Sequence, residues 1–161
     1  MTLRELAKRY SALEAVDKSD FQRSARILQS MWRAEQGYEI GELKTRSGSK
    51  PLGSRLVMPW AEEKLANYLS ETIKNVVCKE VMDPQKRQGK LYGKPRIFND
   101  LLSSQPLCFN LFAELQRDLP LATDVMKNLT NGLVGSVTGI DFEWSPGRGD
   151  PRLTGDRSAF D

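Results

Sequence analysis

Apolar residues recur every three to four positions through the first part of the chain. The repeating positions are Leu3, Leu6, Tyr10, Leu13, Phe21, Ala25, Leu28 and Trp32. This period predicts two amphipathic helices, at about 3–16 and 20–36. Ser19 and Gln22 have the spacing of a capping box, and Gly37 is placed to end the second helix.

The middle of the chain keeps a helical period between loops. Residues 43–53 include Ser-Gly-Ser-Lys-Pro and predict a loop. A helix is predicted over 59–82, because its apolar residues share one side and an Asp-Pro follows it. A short helix is predicted over 97–102. A longer helical segment follows over 106–131, in which Pro120 either makes a kink or begins a second helix.

The period changes only near the C-terminal end of the sequence. In residues 137–144, apolar side chains alternate with Asp141 and Glu143, a pattern typical of a half-buried strand. The Gly- and Pro-rich residues 146–155 predict a connection, and residues 157–161 are expected to enter another strand. The 161 residues are therefore predicted to be mainly helical, with one or two strands of an incomplete sheet.

Composition narrows the classes of function. The chain is 39% hydrophobic and 28% charged, which is typical of a soluble globular protein. No apolar run approaches the roughly 18 to 20 residues of a membrane span, and no signal peptide is recognisable, so a cytoplasmic protein is expected. The absence of histidine excludes Ser-His-Asp and Cys-His catalysis. Cys78 and Cys108 lie in apolar contexts and are expected to be reduced, buried thiols.

Basic residues are concentrated in the first 100 positions. These positions hold 19 Lys and Arg against 13 Asp and Glu, whereas residues 101–161 hold 5 against 8. Five cations and Tyr92 are interleaved in the loop at 85–96: Lys86, Arg87, Lys90, Lys94 and Arg96. Cations neutralise phosphates and aromatic rings stack on bases, so this loop predicts contact with a nucleic-acid backbone. A solvated run of charges is the alternative.

Acidic residues are clustered at the other end. Glu143, Asp150, Asp156 and Asp161 lie within 19 residues, on the predicted strand, its connection and the next strand. Phosphodiester hydrolysis without histidine needs a divalent cation to activate water, and carboxylates on adjacent strands would hold it. The alternative is that these are ordinary turn acids.

Three arginines share this region: Arg148, Arg152 and Arg157. They would clamp a phosphate through bidentate contacts, or else pair with Asp150 and Asp156 and brace the loop.

Four segments, in order along most of the chain, resemble a family of restriction-type nucleases in the PD-(D/E)xK superfamily. They are Ala25-Arg-Ile-Leu-Gln-Ser-Met-Trp32, Leu52-Gly-Ser-Arg-Leu56, Leu101-Leu-Ser-Ser-Gln-Pro-Leu-Cys-Phe-Asn-Leu-Phe112 and residues 145–161. The resemblance implies an α/β, restriction-endonuclease-like fold when complete. It also implies an N-terminal helical region at 1–57 and a catalytic domain that begins at 58 and continues to 161.

The resemblance also implies roles for individual residues. Asp161 matches the first metal-binding acid of the superfamily, whose next strand supplies a Glu-x-Lys. Glu143 is a weaker candidate for orienting substrate, and Glu114 lies on a helix that adds a metal ligand in parts of the superfamily. A solvent-facing Glu114 is the alternative. The implied cofactor is Mg²⁺ or Mn²⁺, and the implied substrate is DNA.

The chain is therefore expected to be the N-terminal portion of a metal-dependent endonuclease, ending at the first catalytic Asp. Without the Glu-x-Lys half of the site, the 161 residues are expected to be inactive and to bind a hard cation poorly. A homodimer would suit an enzyme that cuts both strands. The alternative is a helical module without catalysis that binds nucleic acid or a protein.

Overall fold

The computed structural model describes residues 2–14, 17–87, 90–145 and 150–152. The chain forms two compact units: unit 1 comprises residues 1–67 and 94–106, and unit 2 comprises residues 68–93 and 107–161. The elements in chain order are α1 (Leu3–Arg9), α2 (Asp20–Glu35), β1 (Ile40–Thr45), β2 (Gly48–Leu56), α3 (Trp60–Lys64), α4 (Glu71–Val77), a π-helical turn (Cys78–Met82), α5 (Arg96–Asn99), α6 (Ser104–Arg117) and α7 (Leu119–Leu129).

The described part is mainly helical, as predicted, and its one small sheet lies at residues 40–56, away from the positions where strands were predicted. No helix within the described ranges has the length and apolar character needed to cross a lipid bilayer. The predicted boundary at residue 57 marks the start of a catalytic domain, which is a different division from the two compact units. It stays a prediction.

The two N-terminal helices of unit 1 begin at the predicted residues, and the second does so at its predicted cap. Ser19 and Gln22 form the expected capping box, and Gly37, with φ +70°, follows the end of α2. The prediction that the first helix continues to residue 16 is wrong. It ends at Arg9 because Ser11 has a left-handed backbone, with φ +53°.

The predicted loop at 43–53 is wrong, because these residues belong to the antiparallel hairpin of β1 and β2. Leu52, Gly53 and Ser54 are consecutive buried residues, so the inner part of β2 lacks the alternation that would mark a half-buried strand. The Gly53 N–H donates to the Ser11 carbonyl at 2.7 Å. A Cβ at Gly53 would lie 1.9 Å from the Tyr10 carbonyl oxygen, so only glycine allows this close approach.

The single helix predicted over 59–82 is also wrong, because the chain leaves helical geometry at Leu65, where φ is +48°. Ser70 then begins α4 by accepting the Ile73 N–H through its hydroxyl. Both cysteines are free thiols, as predicted. The prediction that both are buried fails, because Cys78 is exposed and Cys108 is half-buried.

In unit 2, Pro120 lies in the first turn of a second helix, α7, which Asp118 caps. The helical segment ends at Asn131 and Gly132, both with left-handed φ values, as the Asn-Gly pair predicts. The strand predicted over 137–144 is wrong, since residues 137–143 form no strand. Neighbouring helices take up two backbone groups there instead: the Val137 N–H donates to the Thr123 hydroxyl, and the Gln116 amide donates to the Ile140 carbonyl.

Candidate functional site

Glu143 is held in the interior of unit 2. Glu143 is 7% exposed, whereas Trp144 is 49% exposed. The predicted strand would have placed Trp144 inward and Glu143 outward, so the two positions are reversed. The reversal follows from a left-handed backbone at Glu143, with φ +53°. The preceding Phe142 is also buried. A carboxylate predicted on an exposed strand face thus lies next to an apolar core.

That core is built from aromatic rings. Phe109 of α6 stacks on Phe142 with ring centroids 4.1 Å apart, and the rings of Tyr68 and Tyr92 lie 6.2 and 6.0 Å from Phe109. Burial raises the pKa of Tyr92 well above its ordinary value, and the negative charges of Glu80 and Glu143 raise that pKa further. Burial likewise raises the pKa of Tyr68. The Tyr92 phenol, on which the charge of Glu143 acts, therefore remains neutral at ordinary pH.

Glu114 of α6 is exposed and already has a polar partner. It accepts a hydrogen bond from the Ser70 hydroxyl, the same group that caps α4. Its metal-binding role stays a prediction. Among the described residues, no group of three Asp, Glu, Cys or His side chains converges on one point.

Three predicted site residues lie outside the described residues: Arg148, Arg157 and Asp161. Arg152 is described, and its guanidinium makes a bidentate ion pair with Asp150. The hydrogen bonds from Arg152 lower the pKa of the Asp150 carboxyl. This pairing is the bracing arrangement considered for the loop, and a phosphate contact from Arg152 stays a prediction.

The basic loop contains two kinds of cation. Lys90 pairs with Glu80 at 2.6 Å and Lys94 pairs with Glu62 at 3.0 Å. The other predicted phosphate contacts are exposed and make no ion pair with a described residue: Lys86, Arg87 and Arg96. Tyr92 is not an open stacking platform, because its ring packs near Phe109 and its hydroxyl is buried. Phosphate contact from the three unpaired cations remains consistent with this geometry.

Sequence reasoning missed a buried network of charges in unit 1. The Arg26 guanidinium contacts Asp17 through Nε and Nη2 and donates from Nη1 to the Ser54 hydroxyl at 2.7 Å. The hydrogen bond with Asp17 raises the pKa of Arg26 against the opposing effect of burial. Both side chains are nearly inaccessible, at 11% and 6% exposure. No local signal pointed to this burial. Arg26 is not one of the apolar positions predicted for this helix, and two of those positions, Phe21 and Leu28, are exposed.

The same network continues along the other edge of β2. Arg55 donates to the Asn99 amide oxygen at 3.1 Å and pairs with Asp100 at 2.9 Å. The Leu101 N–H donates to the Ser54 carbonyl. Three of the segments that carry the family resemblance therefore meet in unit 1, where Arg26 and Leu101 both donate hydrogen bonds to Ser54.

The comparison with protein families agrees with the resemblance. The model of the PD-(D/E)XK nuclease superfamily matches residues 15–161. The chain therefore belongs to this nuclease superfamily, and both the predicted family and the predicted fold class are confirmed. No curated protein and no solved structure matches the chain significantly.

Proposed function

We propose that this chain forms part or all of a metal-dependent endonuclease that hydrolyses phosphodiester bonds of DNA in the cytoplasm. The match of the nuclease superfamily to residues 15–161 carries the proposal. The exposed, unpaired cations of the basic loop support it, because a nuclease must hold the phosphate backbone in register.

In this proposal Asp161 and Glu114 are metal ligands and Glu143 orients substrate. A bound Mg²⁺ or Mn²⁺ would polarise the phosphoryl oxygen and lower the pKa of the attacking water. The chain's own contribution is electrostatic. Lys86, Arg87 and Arg96 neutralise phosphates, and Arg148, Arg152 and Arg157 contact phosphate nearer the acids. Two copies would act together when both strands are cut.

The first experiment measures binding of the 161-residue chain to a pool of random DNA duplexes by fluorescence anisotropy, without metal. Replacing Lys86 and Arg87 by alanine removes two exposed cations. If both neutralise phosphates, affinity falls roughly tenfold at 0.1 M salt and the salt slope decreases by about 2. The matched control replaces Arg4 and Lys18, an exposed Arg and Lys without ion pairs to described residues, and is expected to bind like the unmodified chain.

A second assay separates the nuclease from a binding module. Mn²⁺ titration, followed by electron paramagnetic resonance, is expected to show weak binding, which Asp161→Asn weakens further because it removes a ligand charge. DNA binding with identical Mn²⁺ affinity in the unmodified and Asp161→Asn chains would favour a non-catalytic module. An inability of the unmodified chain to bind DNA would overturn the proposal.

A further inference from the structure

The hairpin of unit 1 is buried at one end and exposed at the other. Leu52, Gly53, Ser54 and Leu56 are buried in the inner half of β2. By contrast, residues 44–49, which close the hairpin, are all exposed. The structure thus presents the end of a two-stranded ribbon whose base is anchored in the core of the unit.

Apart from Gly48, every residue from 44 to 50 has a cationic or a hydroxyl side chain. The cations are Lys44, Arg46 and Lys50, and the hydroxyls belong to Thr45, Ser47 and Ser49. Lys50 pairs with Glu14 at 2.8 Å. Lys44 and Arg46 make no ion pair with a described residue. A surface made only of hydrogen-bond donors and hydroxyls, two of its cations unpaired, is complementary to a polyanion.

Local hydrogen bonds give this end a defined shape. The Thr45 hydroxyl donates to the Gly48 carbonyl at 2.7 Å and lies 3.2 Å from the Ser47 hydroxyl. Gly48 has φ +130°, which side-chain-bearing residues rarely adopt. The strand register places Lys44 opposite Ser49, so this cation and hydroxyl share one face of the ribbon. A shaped end loses little conformational freedom on binding.

Unit 1 as a whole is also electropositive. Its residues include 14 Lys and Arg against 10 Asp and Glu, a formal charge of +4, whereas unit 2 has 10 against 11. The major groove of B-form DNA, about 12 Å wide, admits a two-stranded ribbon, and its base edges and phosphates carry acceptors. The major groove of A-form RNA is too narrow for side chains to read.

We infer that the exposed end of the β1–β2 hairpin inserts into the major groove of duplex DNA, with Lys44 and Arg46 as its principal contacts. The inference rests on the proposed function, and it adds a second DNA-binding surface to the basic loop. The hydroxyls of Ser47 and Ser49 are placed to reach base edges once the cations have neutralised neighbouring phosphates.

The test compares Lys44→Ala/Arg46→Ala with the unmodified chain and with the Arg4→Ala/Lys18→Ala control, by anisotropy at several salt concentrations. Circular dichroism verifies that each variant is folded. The hairpin variant is expected to bind DNA roughly tenfold more weakly at 0.1 M salt and to lose about 2 units of salt slope. The control variant is expected to remain within twofold of the unmodified chain.

A second duplex has the same sequence but carries glucosyl-hydroxymethyl groups on its cytosines, which fill the major groove and leave the phosphate charge unchanged. The unmodified chain is expected to bind this duplex more weakly, and the hairpin variant to bind both duplexes alike. Equal binding of the unmodified chain to both would overturn insertion into the groove. The inference would also be overturned if the hairpin variant lost as much affinity for double-stranded RNA or for poly-glutamate as it lost for duplex DNA. That result would indicate a general polyanion or acidic-protein site.

The same experiments separate this inference from the proposed function. If Lys86→Ala/Arg87→Ala weakens DNA binding and the hairpin variant does not, the hairpin inference is overturned while the proposed nuclease stands. If the unmodified chain binds no DNA, the proposed function itself fails.

Discussion

The two units of this chain stabilise their interiors by different means. Unit 1 buries charged groups that satisfy one another, with Arg26 bonded to both Asp17 and Ser54, and it brings two backbones together at Gly53. Unit 2 stacks Phe109 on Phe142. Hydrogen bonds between buried polar groups fix their positions in unit 1. In unit 2 a buried carboxylate, Glu143, acts on the phenol of Tyr92, which packs in the aromatic core.

This difference bears on function. In unit 1 the guanidinium of Arg26 is engaged on Asp17 and Ser54 through all three nitrogens, an arrangement that favours a rigid scaffold. Glu143 lies instead near Tyr92, whose hydroxyl makes no hydrogen bond with a described residue. Perturbed pKa values of this kind accompany functional sites as well as structural ones. We therefore expect the proposed catalytic residues to act in unit 2. The hairpin of unit 1 is expected to bind DNA.

The largest expected effect is loss of the aromatic core. Phe109 is 1% exposed, so Phe109→Ala removes the central ring of the cluster and is expected to cost about 4 kcal/mol of unfolding free energy. Urea denaturation measures the loss, and hydrogen exchange is expected to rise first in α6. Phe21→Ala, at a residue that is 81% exposed, is the matched control and should change stability by less than about 0.5 kcal/mol. Similar losses in the two variants would contradict the described core.

The buried ion pair of unit 1 is expected to be nearly as sensitive. Arg26→Met leaves Asp17 buried without its partner and is expected to cost about 3 kcal/mol in urea denaturation. Arg23→Met breaks the exposed pair with Asp20 and an exposed hydrogen bond to the Lys18 carbonyl, and should cost less than about 1 kcal/mol. Replacing both buried partners, in Asp17→Leu/Arg26→Met, is expected to recover much of the lost stability. No recovery would mean that the network contributes more than charge compensation.

A smaller difference in stability is expected between glycine substitutions in the two units, because the backbone is closely packed only at the unit 1 position. Gly53→Ala places a methyl group against the Tyr10 carbonyl and Ser30, and overpacking of this kind is expected to cost about 2 kcal/mol. Gly135→Ala in unit 2 meets no atom within 4 Å and should be neutral or stabilise slightly, because it restricts the unfolded chain. Thermal denaturation of both variants measures the difference. Equal melting temperatures would show that the close approach is absent.

The smallest effect at neutral pH is expected at Tyr92. Its hydroxyl is buried without a hydrogen-bond partner among the described residues, so Tyr92→Phe should change stability by less than about 0.5 kcal/mol at pH 7. The folded-state pKa is raised, so the unfolded chain loses the phenol proton first as pH increases. The contribution of Tyr92 to the free energy of unfolding is therefore constant below about pH 10. Above that pH it decreases by up to about 1.4 kcal/mol per pH unit.

Tyr92→Phe is expected to remove that contribution to the alkaline decrease. Urea midpoints measured from pH 8 to 11 for both chains test it. Parallel curves would indicate that the Tyr92 phenol titrates normally and is open to solvent.

Much of the fold was predictable because its signals are local. Ser19 and Gln22 need only their own backbone to form a cap, and Asn131-Gly132 can end a helix wherever it lies. The helix over 59–82 was not predictable as observed. Residues 65–70 separate two helices there, beginning with the left-handed Leu65, although apolar residues continue through the interruption.

The candidate site was less predictable than the family. Asp161, Glu143 and Glu114 were selected by their positions in a resemblance, which specifies order along a chain and not distance in space. The structure describes the last two and gives each a setting that the sequence did not indicate: burial beside Tyr92 for Glu143, and a hydrogen bond from Ser70 for Glu114. Glu143 was misplaced because alternation specifies a face only where a sheet exists.

The sequence by itself determined the nuclease family, the mainly helical character and the starts of α1 and α2, since these depend on local order, capping and period. Tertiary structure alone decided that residues 40–56 form a hairpin, that residues 137–143 do not form a strand, and that Arg26 lies buried against Asp17. The physical reason is the same in each case. Strand pairing and the burial of a charge both depend on partners distant in sequence, and local pattern contains no record of those partners.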